Sequence, residues 1–97
     1  MSGLPGAHLI ERGLQDLVDK RESDEAWLVL IGAPRLRTLG LTVPPTPAEW
    51  RAGGRDASPE HRLYERLARS DSDSAHSRYN ALIRTLVSFE RAGECVS

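Results

Sequence analysis

The stretch that decides the fold is Trp27-Leu28-Val29-Leu30-Ile31, preceded by Ser23-Asp24-Glu25 and followed by Gly32-Ala33-Pro34. A segment that is apolar on every side has to be covered on every side, so it belongs at the centre of a core. Ser23 is a good N-cap, and Asp24 and Glu25 suit the first turn of a helix, where the helix dipole favours acids. The same run read as a buried strand has no alternating partner elsewhere in the chain, and an unpaired buried backbone is costly. The spacing therefore predicts a helix over 24–32, at the hub of the molecule.

Working outward, residues 7–20 read as an amphipathic helix. At 100° per residue, Ile10, Leu14, Leu17 and Val18 gather on one side. Gly13 weakens this helix, because Gly costs about 1 kcal/mol against Ala in a helix interior. Leu9 falls on the opposite side, beside Gly13, and is a candidate contact residue. Pro34 suits the first turn of a short helix over 34–39, with Leu36 and Leu39 inward and Gly40 as its stop. Ser58-Pro59-Glu60 is a strong helix start, and a helix over 58–70 places Leu63, Tyr64 and Leu67 in one sector. The last helix, over 74–92, aligns Ala75, Tyr79, Leu82, Ile83, Leu86 and Phe89, with Gly93 as its expected end. Glu90 lies inside that apolar sector, so it either reaches solvent near the helix end or faces a buried partner such as an Arg.

Residues 42–57 form a long linker. Pro44, Pro45 and Pro47 stiffen its first half and Gly53-Gly54 loosens its second. Trp50 within it has two readings: an anchor that ties the linker to the domain, or a protein-contact residue, since Trp is enriched at binding hot spots. The expected architecture is thus all-α, a single domain spanning 1–97. It has four main helices (7–20, 24–32, 58–70, 74–92), a short helical turn at 34–39 and a Pro/Gly linker.

The 97 residues are 39% apolar, with five aromatics, so Leu, Ile, Val and Ala must build most of the core. A chain this short buries only roughly 60–65% of its unfolded surface. An apolar content this low fits long disordered loops or help from a second copy, and Leu9, Trp50 and Val43 exceed what four short helices bury, as in an obligate dimer. The net charge is −1, which gives no global attraction to nucleic acid or acidic membranes. Charge is uneven, however: 33–69 carries seven Arg against four acids, while the segments on either side are acidic. Arg62, Arg66 and Arg69, spaced by four and three, share one side of the 58–70 helix, and Arg51 and Arg55 stand just upstream. This ridge reads as a solvated face, with Glu65 offsetting one charge, or as a surface for an acidic protein partner or a phosphate backbone.

Chemistry-bearing patterns are sparse. His61/Glu65 and Asp73/His76 have helical spacing but match no zinc pattern, and Cys95 is isolated. There is no nucleophile elbow, phosphate-cradling glycine loop or paired-carboxylate signature. We therefore expect no enzymatic activity, no cofactor and no metal. A single cysteine, no signal-like N-terminus and no apolar run near ~20 residues lead to the expectation of a soluble cytoplasmic protein with no membrane partner. The functional expectation is a regulatory, self-associating protein-interaction module using Trp50, Leu9 and the ridge Arg62, Arg66, Arg69. Nucleic-acid binding through the ridge is the alternative.

Overall fold

The structure is a computed structural model that describes residues 3–51 and 58–96, apart from the side chains of Arg51 and Val96. The described residues form helices α1 (Ala7–Val18), α2 (Asp24–Ile31), α3 (Ala33–Thr38), α4 (Pro59–Ser70) and α5 (Ala75–Val96), plus a 3-10 turn at Ala48–Arg51. No strand occurs among them. The fold is a small all-helical bundle, and α2 is its hub, packing against α1, α3, α4 and α5.

The hub forms for the reasons its sequence suggests. The Ser23 hydroxyl accepts the Ala26 N–H at 3.0 Å and closes the first turn of α2. That hydroxyl donates in turn to the Asp16 carboxylate at 2.6 Å, so α1 holds the cap of α2 in place. Ala26, Trp27, Leu28, Val29 and Leu30 are all buried, Leu28 and Val29 completely. Each such Leu or Val contributes about 1.5–3 kcal/mol of burial free energy.

Helix α1 presents a different face from the one its apolar residues mark. Its buried line is Ile10, Gly13 and Leu17, with Asp16 at the edge, whereas Leu14 is half-buried and Val18 is 64% exposed. The contact face is thus turned by roughly 60° from the apolar stripe, counted at 100° per residue. The cause is Gly13. A Cβ there would stand 2.5 Å from Val29 Cγ2 and 2.9 Å from the Glu25 carbonyl carbon, so only a glycine lets the two backbones approach this closely. The residue that weakens α1 as an isolated helix is what seats it on α2.

The helix ends differ from the expected bounds by small amounts, with two informative cases. Helix α1 stops at Val18 rather than residue 20 because Lys20 turns left-handed (φ 57°). Lys20 N–H then donates to Leu17 and Arg21 N–H to the Asp16 carbonyl at 2.7 Å, the paired bonds of a helix-terminating turn. At the other end, α5 does not stop at Gly93 but runs on to Val96. Gly93 is buried, and a Cβ there would lie 3.0 Å from Leu39 Cδ1; the glycine serves close approach to the residue after α3.

The first half of the linker is part of the core. Gly40 (φ 99°) turns the chain out of α3, and Val43, Pro47 and Trp50 are then buried. The Arg37 guanidinium donates to the Val43 carbonyl from Nη2 at 2.9 Å and from Nε at 3.3 Å. The expected linker residues 52–57, including Arg55, lie outside the described residues.

Candidate interaction surfaces

The arginine ridge is best followed from its middle residue. Arg66 Nε donates to Asp24 Oδ1 at 3.0 Å, and its Nη1 stands 3.8 Å from Glu22 Oε2. The same Glu22 oxygen accepts the indole N–H of Trp27 at 2.9 Å. Arg66 therefore docks α4 onto the acidic approach to α2, with its side chain 32% exposed. Arg62 is half-buried and Arg69 exposed. The three guanidinium groups share a side of α4, as their spacing requires, but the central one faces the protein's own carboxylates. The side chain of Arg51 and the whole of Arg55, which stand upstream of the ridge, lie outside the description.

Trp50 joins the same seam. Its ring lies 5.3 Å from that of Trp27, tilted by 49°, and the residue is 8% exposed. Of the two readings of this side chain, the geometry is that of an anchor: Trp50 sits on Trp27, Trp27 on Glu22, and Glu22 on Arg66. Leu9 stands apart on α1, half-buried.

The histidines stay on the surface. His61 Nε2 lies 3.5 Å from Glu65 Oε1, a weak pair across one helical turn. His76 bonds to Asn80 at 3.2 Å rather than to Asp73, whose N–H instead donates to Asp71. Among the described residues no group of three or more His, Cys, Asp or Glu is arranged to hold a metal ion. Cys95 is exposed and free.

Two features emerge only in three dimensions. The first is an apolar strip on the outer face of the α4–α5 hairpin. Tyr64 is 39% exposed and Val87 38%, and between them Tyr79 and Ile83 are half-buried. Tyr79, Ile83 and Val87 follow one another at four-residue spacing along α5, and Tyr64 meets Tyr79 edge to face at 5.7 Å. Partial burial and the nearby Glu60 carboxylate raise the Tyr79 pKa above the ordinary phenol value. The spacing was available in the sequence, but Tyr79 and Ile83 read there as core. The groups that flank these residues along the helices mix signs: Glu60, His61 and Glu65 beside Tyr64 on α4, His76 and Arg84 beside Tyr79 and Ile83 on α5.

The second is a shallow open cleft of about 310 Å³ between α2 and α5, lined by Asp24, Glu25, Arg78, Ala81 and Leu82. Asp24 there is already engaged by Arg66, and the apolar part of the lining is Ala81 and Leu82. Nearer the end of α5, Glu90 is only 6% exposed. Burial raises its pKa, the Arg35 charge opposes that rise and Glu94 adds to it. Arg35 is itself engaged by Glu94, to which its Nε donates at 2.6 Å. Of the two arrangements expected of Glu90, neither is fully met: it is buried, and the nearby Arg is bonded to another carboxylate.

Comparison with protein-family models, with curated proteins and with solved structures finds no match to this chain.

Proposed function

We propose that this protein is a non-enzymatic interaction module that contacts a protein partner, a second copy of itself included, through the outer face of the α4–α5 hairpin. The observation that carries this reading is the strip Tyr64, Tyr79, Ile83, Val87. Contiguous apolar side chains left at the surface, ringed by polar groups, are the usual mark of a protein contact. Tyrosine suits such a site because a large ring is presented at low entropic cost. The mixed charges around the strip favour a protein over a uniformly anionic partner.

Nucleic-acid binding through α4 is the weaker reading. It needs Arg62, Arg66 and Arg69 available together, and Arg66 already faces two carboxylates. The working compartment in this reading is a reducing one, consistent with a lone exposed thiol. No helix among the described residues is long and apolar enough to cross a membrane.

The test is sedimentation velocity on the full chain up to about 100 µM, a range that reveals contacts of modest affinity. Wild type should show concentration-dependent association, or do so on adding a captured partner. Val87→Glu should remove that association while leaving the helical circular dichroism unchanged. Association that survives Val87→Glu undiminished would reject the strip as the contact face.

A further inference from the structure

We propose that the groove between Trp27 of α2 and Arg37 of α3 is a receptor for an extended, proline-rich peptide with an aromatic anchor, and that residues 41–51 are its occupant in cis. This groove lies apart from the α4–α5 strip and does not depend on it.

The occupant is visible. Leu41-Thr42-Val43-Pro44-Pro45-Thr46-Pro47 runs without regular secondary structure and ends in the turn that carries Trp50. Three of its side chains are buried: Val43 at 5% exposure, Pro47, and Trp50 at 8%. Of the residues between them, Pro45, Ala48 and Glu49 are exposed and Pro44 and Thr46 half-buried. Recognition thus rests on three anchors and on one backbone carbonyl, that of Val43, gripped by two N–H groups of Arg37. The far anchor is an aromatic contact, Trp50 on Trp27, and the receiving ring is held by its own bond to Glu22. The aromatic contact here is Trp on Trp, with Pro47 the one buried proline between the Val43 and Trp50 anchors; a stiff proline-rich segment loses less entropy on binding than a flexible one.

Occupation in cis also explains why such a groove would be silent in the resting protein. A segment tethered at both ends has an effective concentration near ~1 mM. A free peptide of equal intrinsic affinity at ~10 µM therefore competes at roughly a hundredfold disadvantage. A partner peptide enters only where its own anchors are better or where the cis segment has been released.

The test uses a fluorescein-labelled peptide with the sequence of residues 41–51 and fluorescence anisotropy on the full chain. Trp50→Ala weakens the cis occupant and leaves the receptor residues Trp27 and Arg37 in place. The labelled peptide should bind this variant at least tenfold more tightly than it binds wild type. Adding Arg37→Ala, or using a peptide that itself carries Trp50→Ala, should remove the gain. Equal binding to wild type and to a Trp50→Ala chain that keeps its helical circular dichroism would overturn the proposal. If Trp50→Ala loses helicity, Val43→Ala is the milder release and the same comparison decides. If both lose it, residues 41–51 are an inseparable part of the core and the proposal falls.

Discussion

Replacing Gly13 by Ala sets two physical effects against each other with opposite signs. As a helix residue, Ala is favoured over Gly by about 1 kcal/mol, so α1 considered alone would gain. As a packing residue, the new methyl would sit 2.5 Å from Val29 Cγ2 and 2.9 Å from the Glu25 carbonyl carbon. Ordinary carbon contacts lie near ~3.5–4.0 Å, so α1 must retreat from α2 by about 1 Å. The Glu25 backbone cannot swing aside as a side chain would, because it lies in the first turn of the hub helix. A gap of that size forfeits about a quarter to a half of the dispersion energy along the seam, which includes Ile10 and Leu17. Overpacking of this kind costs about 1–3 kcal/mol, occasionally more. Net of the propensity gain, the expected loss is about 1 kcal/mol, which for a domain of this size lowers Tm by roughly 4–8 °C. Urea and thermal melts followed by circular dichroism measure it. Gly93→Ala is the internal control. Its methyl meets only Leu39, at 3.0 Å from Cδ1 and 3.6 Å from Cδ2, the end of a half-buried and adjustable side chain. It should be neutral or raise Tm by a few degrees. A Gly13→Ala protein as stable as wild type would refute the close-approach account of the α1–α2 seam.

Two further outcomes follow from the electrostatics. Glu90 has a folded-state pKa raised above the ordinary 4.5, chiefly by burial, in a setting shared with Arg35 and Glu94. Its contribution to stability is therefore fully present below the unfolded pKa and is lost as pH rises through the folded value. Glu90→Gln should stabilise the protein at pH 7, with the advantage vanishing at acid pH; a constant difference across a denaturation series from acid to neutral would contradict this. For Arg66, a double-mutant cycle of Arg66→Ala with Asp24→Ala should give a coupling of about 1 kcal/mol, reduced but not abolished by high salt because the pair is only partly exposed. A coupling indistinguishable from zero would return Arg66 to the solvent-facing ridge.

The hub was legible because its signal is local and redundant: a cap, two acids and five apolar residues leave a helix that must be enclosed. The starts of α2 and α4 were legible for the same reason, since Ser23 and Ser58 bond to N–H groups three residues away. What the sequence did not disclose is what approaches each face. A helical wheel gives the direction of a side chain relative to its own axis and nothing about the neighbouring element. Val18 lies in the apolar stripe of α1 and is nevertheless exposed, because the partner settles where the chain has no side chain, at Gly13.

The candidate site shows the same limit in a more instructive form. Arg66 and Trp50 were both picked out for properties that suit an interface, a rigid planar donor and a large flat ring. Those properties serve equally well inside one chain. Helix α4 reaches the acidic approach to α2 only after a long connection, and no short-range pattern marks that Glu22 will meet both the Trp27 indole and the Arg66 guanidinium. Interface-like chemistry at Trp50 is thus real, and its partner is the protein's own hub. That is why the groove beneath it, with Arg37 and Trp27 already arranged to hold an extended chain, reads more naturally as a binding site in use than as surface waiting for one. The Tyr64–Val87 strip is the opposite case, side chains whose spacing suits a core but which no part of the described chain fully covers.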